Sequence, residues 1–159
     1  MGDGFAVSGG APGERRAAAT KRWAIGLLSS VVFLYWVTLY LYMPTLPVYV
    51  EGKADDLAMV GVVLSMYGLW QALARVPVGM AADWVGLRKP FMCVGMLLAA
   101  VGAVAMALAG DVQALMLGRI ITGLAAATWV PLVVSFTALF PPADAVRATT
   151  VITFIGTIG

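Results

Sequence analysis

The chain has 159 residues, 62% of them apolar and 11% charged, with a mean hydropathy of +0.95. Soluble domains hold about 45–50% apolar and about 25% charged residues, so the composition excludes an ordinary soluble fold and points to an all-α, multi-pass membrane protein. Ten Lys and Arg against eight Asp and Glu leave a net charge of +2 with no histidine and only Cys93, which gives no support to nucleic-acid binding, an intrachain disulfide, a metal centre or a cofactor, and points away from an enzyme.

Residues 1–22 are rich in Gly and Ala and carry Arg15, Arg16, Lys21 and Arg22; the pattern predicts a disordered cytoplasmic tail. The next 28 residues, Trp23 to Val50, hold no charge, too long for the apolar centre of a secretory signal, which runs to about 15 residues. A first span is expected over 23–47, closed by Pro44 and Pro47. Tyr35, Thr38 and Tyr42 recur at three and four residues, the spacing of one helical face. That face suits a wet cavity, and for Tyr42 and Tyr49 an aromatic interface belt explains the residues as well.

Glu51 to Asp56 forms a short acidic loop with a single Lys53. A second span is expected over 57–82, with Gly61, Ser65, Gly68 and Ala72 as a small-residue stripe for close helix packing. Gln71 is its uncharged polar residue, and Arg75 falls near the inner end. Arg75 has two readings, a functional charge or a side chain snorkelling to the interface. The island Gly79 to Lys89 then reads as a tight turn: Gly79 permits close backbone approach, Gly86 can reverse the chain at positive φ, and Arg88 and Lys89 belong on the cytoplasmic side.

A third span over 91–109 is free of charge and reads as scaffold, with Gly95, Ala99, Gly102 and Ala103 for packing. A minimal turn at Gly110 and Asp111 leads to a fourth span over 112–140. Arg119 lies eight residues past Asp111, about 12 Å inward at 1.5 Å per residue. A cation at such depth costs several kcal/mol unless it meets a partner or a cavity, which marks a functional position. Thr122, Ala126 and Trp129 continue its face. Pro141 and Pro142 stop the helix, Asp144 and Arg147 follow, and an incomplete fifth span occupies 146–159. Seven Lys and Arg fall on the tail, the island and the Arg147 loop, against Lys53 alone on the other side. By the positive-inside rule the amino terminus is cytoplasmic.

The run Gly79-Met80-Ala81-Ala82-Asp83-Trp84-Val85-Gly86-Leu87-Arg88-Lys89 resembles the signature G-x-x-x-D-x-x-G-x-[RK]-[RK] between the second and third spans of major facilitator superfamily transporters. Gly79, Asp83, Gly86, Arg88 and Lys89 match; Trp84 and Leu87 depart, since basic residues are common there. Met43 to Tyr49 resembles the end of the family's first span. Arg75 to Gly79 resembles its lead into the signature. Gly118 to Gly123 resembles its fourth-span motif, with Thr122 where many drug exporters carry Gln.

The resemblance implies the amino-terminal half of a fold built from two six-helix bundles that rock about a midplane site. It also implies a latch role for Asp83 and a coupling or substrate role for Arg119. Tyr35, Thr38, Arg119, Thr122 and Trp129 are the candidates for a substrate cavity, and Arg75 and Arg147 for inner-end charges. No phosphate-cradling G-x-x-x-x-G-K-[ST] run is present, so secondary transport is expected. The partners implied are membrane lipid, a small organic solute and a carboxyl-terminal helix bundle of the same transporter, in the cell membrane. The leaning is toward drug or metabolite efflux. Uptake or facilitated passage of a small metabolite or organic anion, with Arg119 as counter-charge, is the alternative within transport. A non-transporting assembly or regulatory membrane protein is the alternative outside it, and compact four-span exporters are disfavoured because the first span lacks an acid.

Overall fold

The computed structural model describes residues 12–158. Helices alone make up its regular structure, in the order α1 (Pro12–Tyr40), α2 (Leu46–Glu51), α3 (Leu57–Val85), α4 (Arg88–Ala107), α5 (Val112–Ala127), α6 (Trp129–Thr137) and α7 (Ala145–Ile158), with a 3₁₀ turn at Pro142–Asp144 before the last. Four segments are long and apolar enough to cross a membrane: Ala19–Tyr40, Leu57–Val85, Arg88–Ala107 and Val112–Thr137. The fold is therefore an all-α membrane bundle of four spans with the start of a fifth.

The tail differs from its expected disorder. Residues 12–22 continue α1, because Ala, Arg and Glu are among the strongest helix formers; residues 1–11 lie outside the described residues. The first span is also not one helix to Pro47. Pro44 has no N–H to offer the Tyr40 carbonyl and its ring crowds that group, so α1 ends at Tyr40. The Tyr40 carbonyl accepts instead from Met43 N at 3.0 Å, and Tyr42 O from Leu46 N at 3.0 Å. Pro47 is tolerated in the first turn of α2, where a missing N–H costs nothing.

The fourth span is likewise divided. Pro131 leaves the Ala127 carbonyl without its helical donor. The chain tightens at Thr128, whose N–H and hydroxyl both reach Ala125 O, at 3.0 and 2.7 Å. The loop acids start helices: Asp56 accepts from Met59 N and Asp111 from Ala114 N, each at 2.8 Å. Each satisfies one of the orphan donors of a helix start and places negative charge at its positive end.

Span four is the centre of the bundle. Helix α5 packs most extensively on α4 and α3, and it buries Leu115, Gly118, Arg119, Thr122, Gly123 and Ala125 to Ala127. Small residues permit this closeness, since helices gain little from apolar burial within lipid and rely on packing. A Cβ on Gly123 would lie 2.6 Å from the Tyr67 carbonyl of α3, and one on Gly102 of α4 would lie 2.6 Å from Thr122 Cγ2. The buried face of α4 is Gly95, Ala99, Gly102 and Met106. In α3 the packing face is Val63, Tyr67, Ala74 and Ala82. The expected small-residue stripe Gly61, Ser65, Gly68 and Ala72 is instead exposed, because α5 docks on the neighbouring face.

Gly123→Val should cost about 1–3 kcal/mol through overpacking against helix backbone, and Gly61→Val, with nothing within 4 Å of its Cβ position, should be close to neutral. Thermal unfolding of the two variants in the same detergent checks the contrast.

Candidate functional site

Arg119 is the largest fully buried side chain, with 1% of its surface exposed. It projects from α5 toward α3 and the 41–45 turn. Its Nη2 donates to Leu64 O at 3.1 Å, its Nη1 lies 3.7 Å from Met43 Sδ, and its Cζ stands 4.6 Å from the centroid of the Tyr67 ring. A guanidinium stacked on a desolvated aromatic face gains about 2 kcal/mol, which offsets part of its desolvation. No carboxylate completes the balance: the ion pair among the described residues joins Arg88 Nη2 and Asp83 Oδ1 at 3.5 Å. Among the described residues, Arg119 Nε and the buried hydroxyls of Tyr42 and Tyr67 have no hydrogen-bond partner. The site thus holds a buried charge without a carboxylate partner among the described residues, beside unpartnered hydroxyls and the turn that follows α1.

The other sequence candidates are dispersed. Tyr35 is buried and its hydroxyl donates to Ala125 O at 2.7 Å, tying α1 to the break in span four. Thr122 is also buried and donates to Arg119 O at 3.0 Å. Thr38 is exposed and donates to Leu34 O of its own helix at 2.8 Å. The expected common face of Tyr35, Thr38 and Tyr42 is therefore not formed, because α1 stops before Tyr42. Trp129 is half-buried and meets Trp36 edge-on, ring centroids 5.1 Å apart. Arg75 and Arg147 are both exposed, and Arg147 belongs to the first turn of α7 rather than to a loop.

At the opposite end of the bundle from Glu51 and Asp111, α3 ends in a left-handed residue, Gly86 at φ 69°, whose N–H donates to Ala82 O at 3.1 Å. Only glycine takes this conformation without steric cost. Leu87 is extended and α4 begins at Arg88, so the reversal takes two residues. The side chains of Arg88 and Asp83 are 40% and 70% exposed; such a pair contributes little stability, about 0–1 kcal/mol. Lys89 and Trp84 are exposed. Gly79 differs from its expected close backbone approach: a Cβ there would meet only Val130 Cγ1 at 3.5 Å, an ordinary contact.

With a two-residue glycine turn carrying the Asp83–Arg88 pair and a buried arginine in the fourth span, the comparison with known proteins is decisive. A family model described as Major Facilitator Superfamily matches residues 28–159. The chain belongs to that superfamily. It is 33% identical over 115 residues to the inner membrane transport protein YajR of Escherichia coli strain K12, which covers 70% of this chain and 23% of that protein. It is also 33% identical over 101 residues to the class E tetracycline resistance protein of Escherichia coli, covering 62% of this chain and 25% of that protein. The chain thus spans about a quarter of the length of these relatives. No solved structure matches.

Three residues central to this superfamily member's packing were not singled out by sequence: Tyr67, Trp36 and Tyr40. Trp36 and Tyr40 stack at 5.1 Å, and their separation of four residues is a signal that could have found them. Tyr67 has no local signal, since what defines it is the arginine of another span.

Replacing Gly86 with Ala should destabilise by about 1–2 kcal/mol, the cost of a Cβ in left-handed backbone, with Gly86→Asn losing less. Arg119→Met should leave the unfolding midpoint unchanged or raised, since a well-packed apolar group removes a buried unpaired charge. Detergent-resolved thermal melts check both; a large fall for Arg119→Met would mean that the arginine is there for stability.

Proposed function

We propose that this chain forms part of a secondary active transporter that exports a small organic solute, a drug or metabolite, across the cell membrane by alternating access. Its amino terminus lies in the cytoplasm, in keeping with the seven-to-one charge bias. The observation that carries the reading is the pair of helix interruptions, residues 41–45 directly after the first span and the one-residue turn at Thr128 inside the fourth. Within a bilayer, non-helical backbone is tolerated only where it is buried in protein or lines a cavity, and discontinuous helices build the substrate sites of many transporters. Trp36 and Tyr40 precede the first break, and Trp129 directly follows the second. Export is favoured because one relative is a resistance protein by name.

The chain's share of its relatives, about a quarter, supports a second helix bundle as the partner that completes the machine. The exposure of Asp83, 70% beside Arg88, supports a latch role toward such a bundle. A second reading, passage of a small organic anion, is favoured by one observation: the guanidinium of Arg119 has no counter-charge among the described residues. An anionic solute would supply it.

In sealed vesicles, the longer protein that carries this chain should move its solute down an imposed gradient with saturation, and residues 1–159 alone should not. Saturable flux through residues 1–159 alone would overturn the need for a second bundle. In the longer protein, Arg119→Met should cut export at least tenfold while the protein stays folded. Equal loss for anionic and neutral solutes favours a coupling role, and loss confined to anions favours the second reading.

A further inference from the structure

Between α1, α6 and α7 lies an open groove of about 530 Å³, lined by Trp36, Tyr40, Trp129, Thr153, Gly156 and Thr157 with Ile158 at its edge. Its size falls within the roughly 300–1,000 Å³ of small-molecule sites. Two features set it apart from a bare apolar face. The first is its wall of π-surface: Trp36 stacks on Tyr40 at 5.1 Å with planes 28° apart, and Trp129 stands edge-on to Trp36 at 5.1 Å and 67°. The second is the absence of any charged lining residue; Arg119 faces away, sealed against α3.

We infer that this groove binds the flat, uncharged aromatic part of the transported solute, which stacks against Trp36 and Trp129. The inference deepens the transport reading and rests on it. Aromatic rings prefer offset-stacked or edge-to-face partners, and the groove presents both orientations, one from the Trp36–Tyr40 stack and one from Trp129. A saturated solute of equal size would fill the volume but forgo these contacts. An anion would meet no cation there and would lose its hydration uncompensated. Gly156 keeps the wall thin: a Cβ there would fall 2.6 Å from Trp36 Nε1, so α7 can lie against the indole only with glycine at this position.

The test is equilibrium binding of three probes to the 159-residue chain in lipid nanodiscs, with empty nanodiscs subtracted. The probes are 7-methoxycoumarin, which is planar, neutral and carries a carbonyl, its 3-carboxylate, and 2-decalone, a saturated bicyclic ketone. The coumarin should bind saturably and at least tenfold more tightly than either of the others. Trp36→Ala and Trp129→Ala should each weaken it by about 3- to 10-fold, Trp36→Phe and Trp129→Phe should restore most of the loss, and Trp84→Ala, 92% exposed on the signature turn, should change nothing. Should the alanine variants fail to fold, Thr153→Phe fills the groove from an exposed position and should abolish binding. Equal binding of decalone would make the groove a generic seat for acyl chains or another helix and overturn the inference. Tighter binding of the carboxylate, lost in Arg119→Met, would overturn it in favour of an anion site, as would undiminished coumarin binding in both alanine variants in favour of a site elsewhere. Flux through the longer protein separates the two levels: transport of solutes without coumarin binding sinks this inference alone, and coumarin binding with no solute ever moved sinks the transport reading.

Discussion

The close approach of α5 to α3 and α4 is the constraint from which the rest of the molecule follows. Lipid tails are as apolar as leucine, so spans do not associate by hiding apolar surface and must gain from contact itself. Gly123 against the Tyr67 backbone and Gly102 against Thr122 supply that contact. Once α5 is seated, Arg119 has no route to water and is enclosed by Leu64 O, Met43 and the Tyr67 ring. The burial of the charge is thus a consequence of glycine packing one turn away from it.

Two prolines then divide what hydropathy joins. Pro44 ends α1 at Tyr40, and Pro131 breaks span four at Thr128; the hydroxyls of Thr128 and Tyr35 both converge on Ala125 O. This single carbonyl ties span one to the discontinuity of span four. The aromatic group of Trp36, Tyr40 and Trp129 sits beside it. Most interior threonine and serine hydroxyls are spent on backbone carbonyls, and the buried polar atoms left without a partner among the described residues are the Trp36 indole N–H, the Tyr42 and Tyr67 hydroxyls and Arg119 Nε.

The two ends of the bundle differ in kind. At one, Asp56 and Asp111 cap helices and fix where spans two and four begin. At the other, the Gly86 reversal is short and stereochemically demanding, while its charged pair is exposed and weak. A rigid backbone turn that presents an easily exchanged ion pair is suited to changing partners without changing shape.

Properties that depend on neighbours along the chain were legible in sequence: the number of apolar spans, the all-α class, the glycine reversal at Gly86, and the family resemblance carried by Gly79 to Lys89. Each follows from hydropathy over about 20 residues or from the stereochemistry of one residue. The side-chain surroundings were decided only by the tertiary structure. Tyr35, Thr38 and Thr122 are all hydroxyl residues on spans, yet two are buried in helix contacts and one is exposed, because the direction from which α5 docks is not encoded in either helix alone. The same holds for Tyr67, which becomes the platform for Arg119 only because 52 residues of chain return α5 to that face. Local sequence sets where helices begin and break, and packing between them sets which side chains keep a free valence.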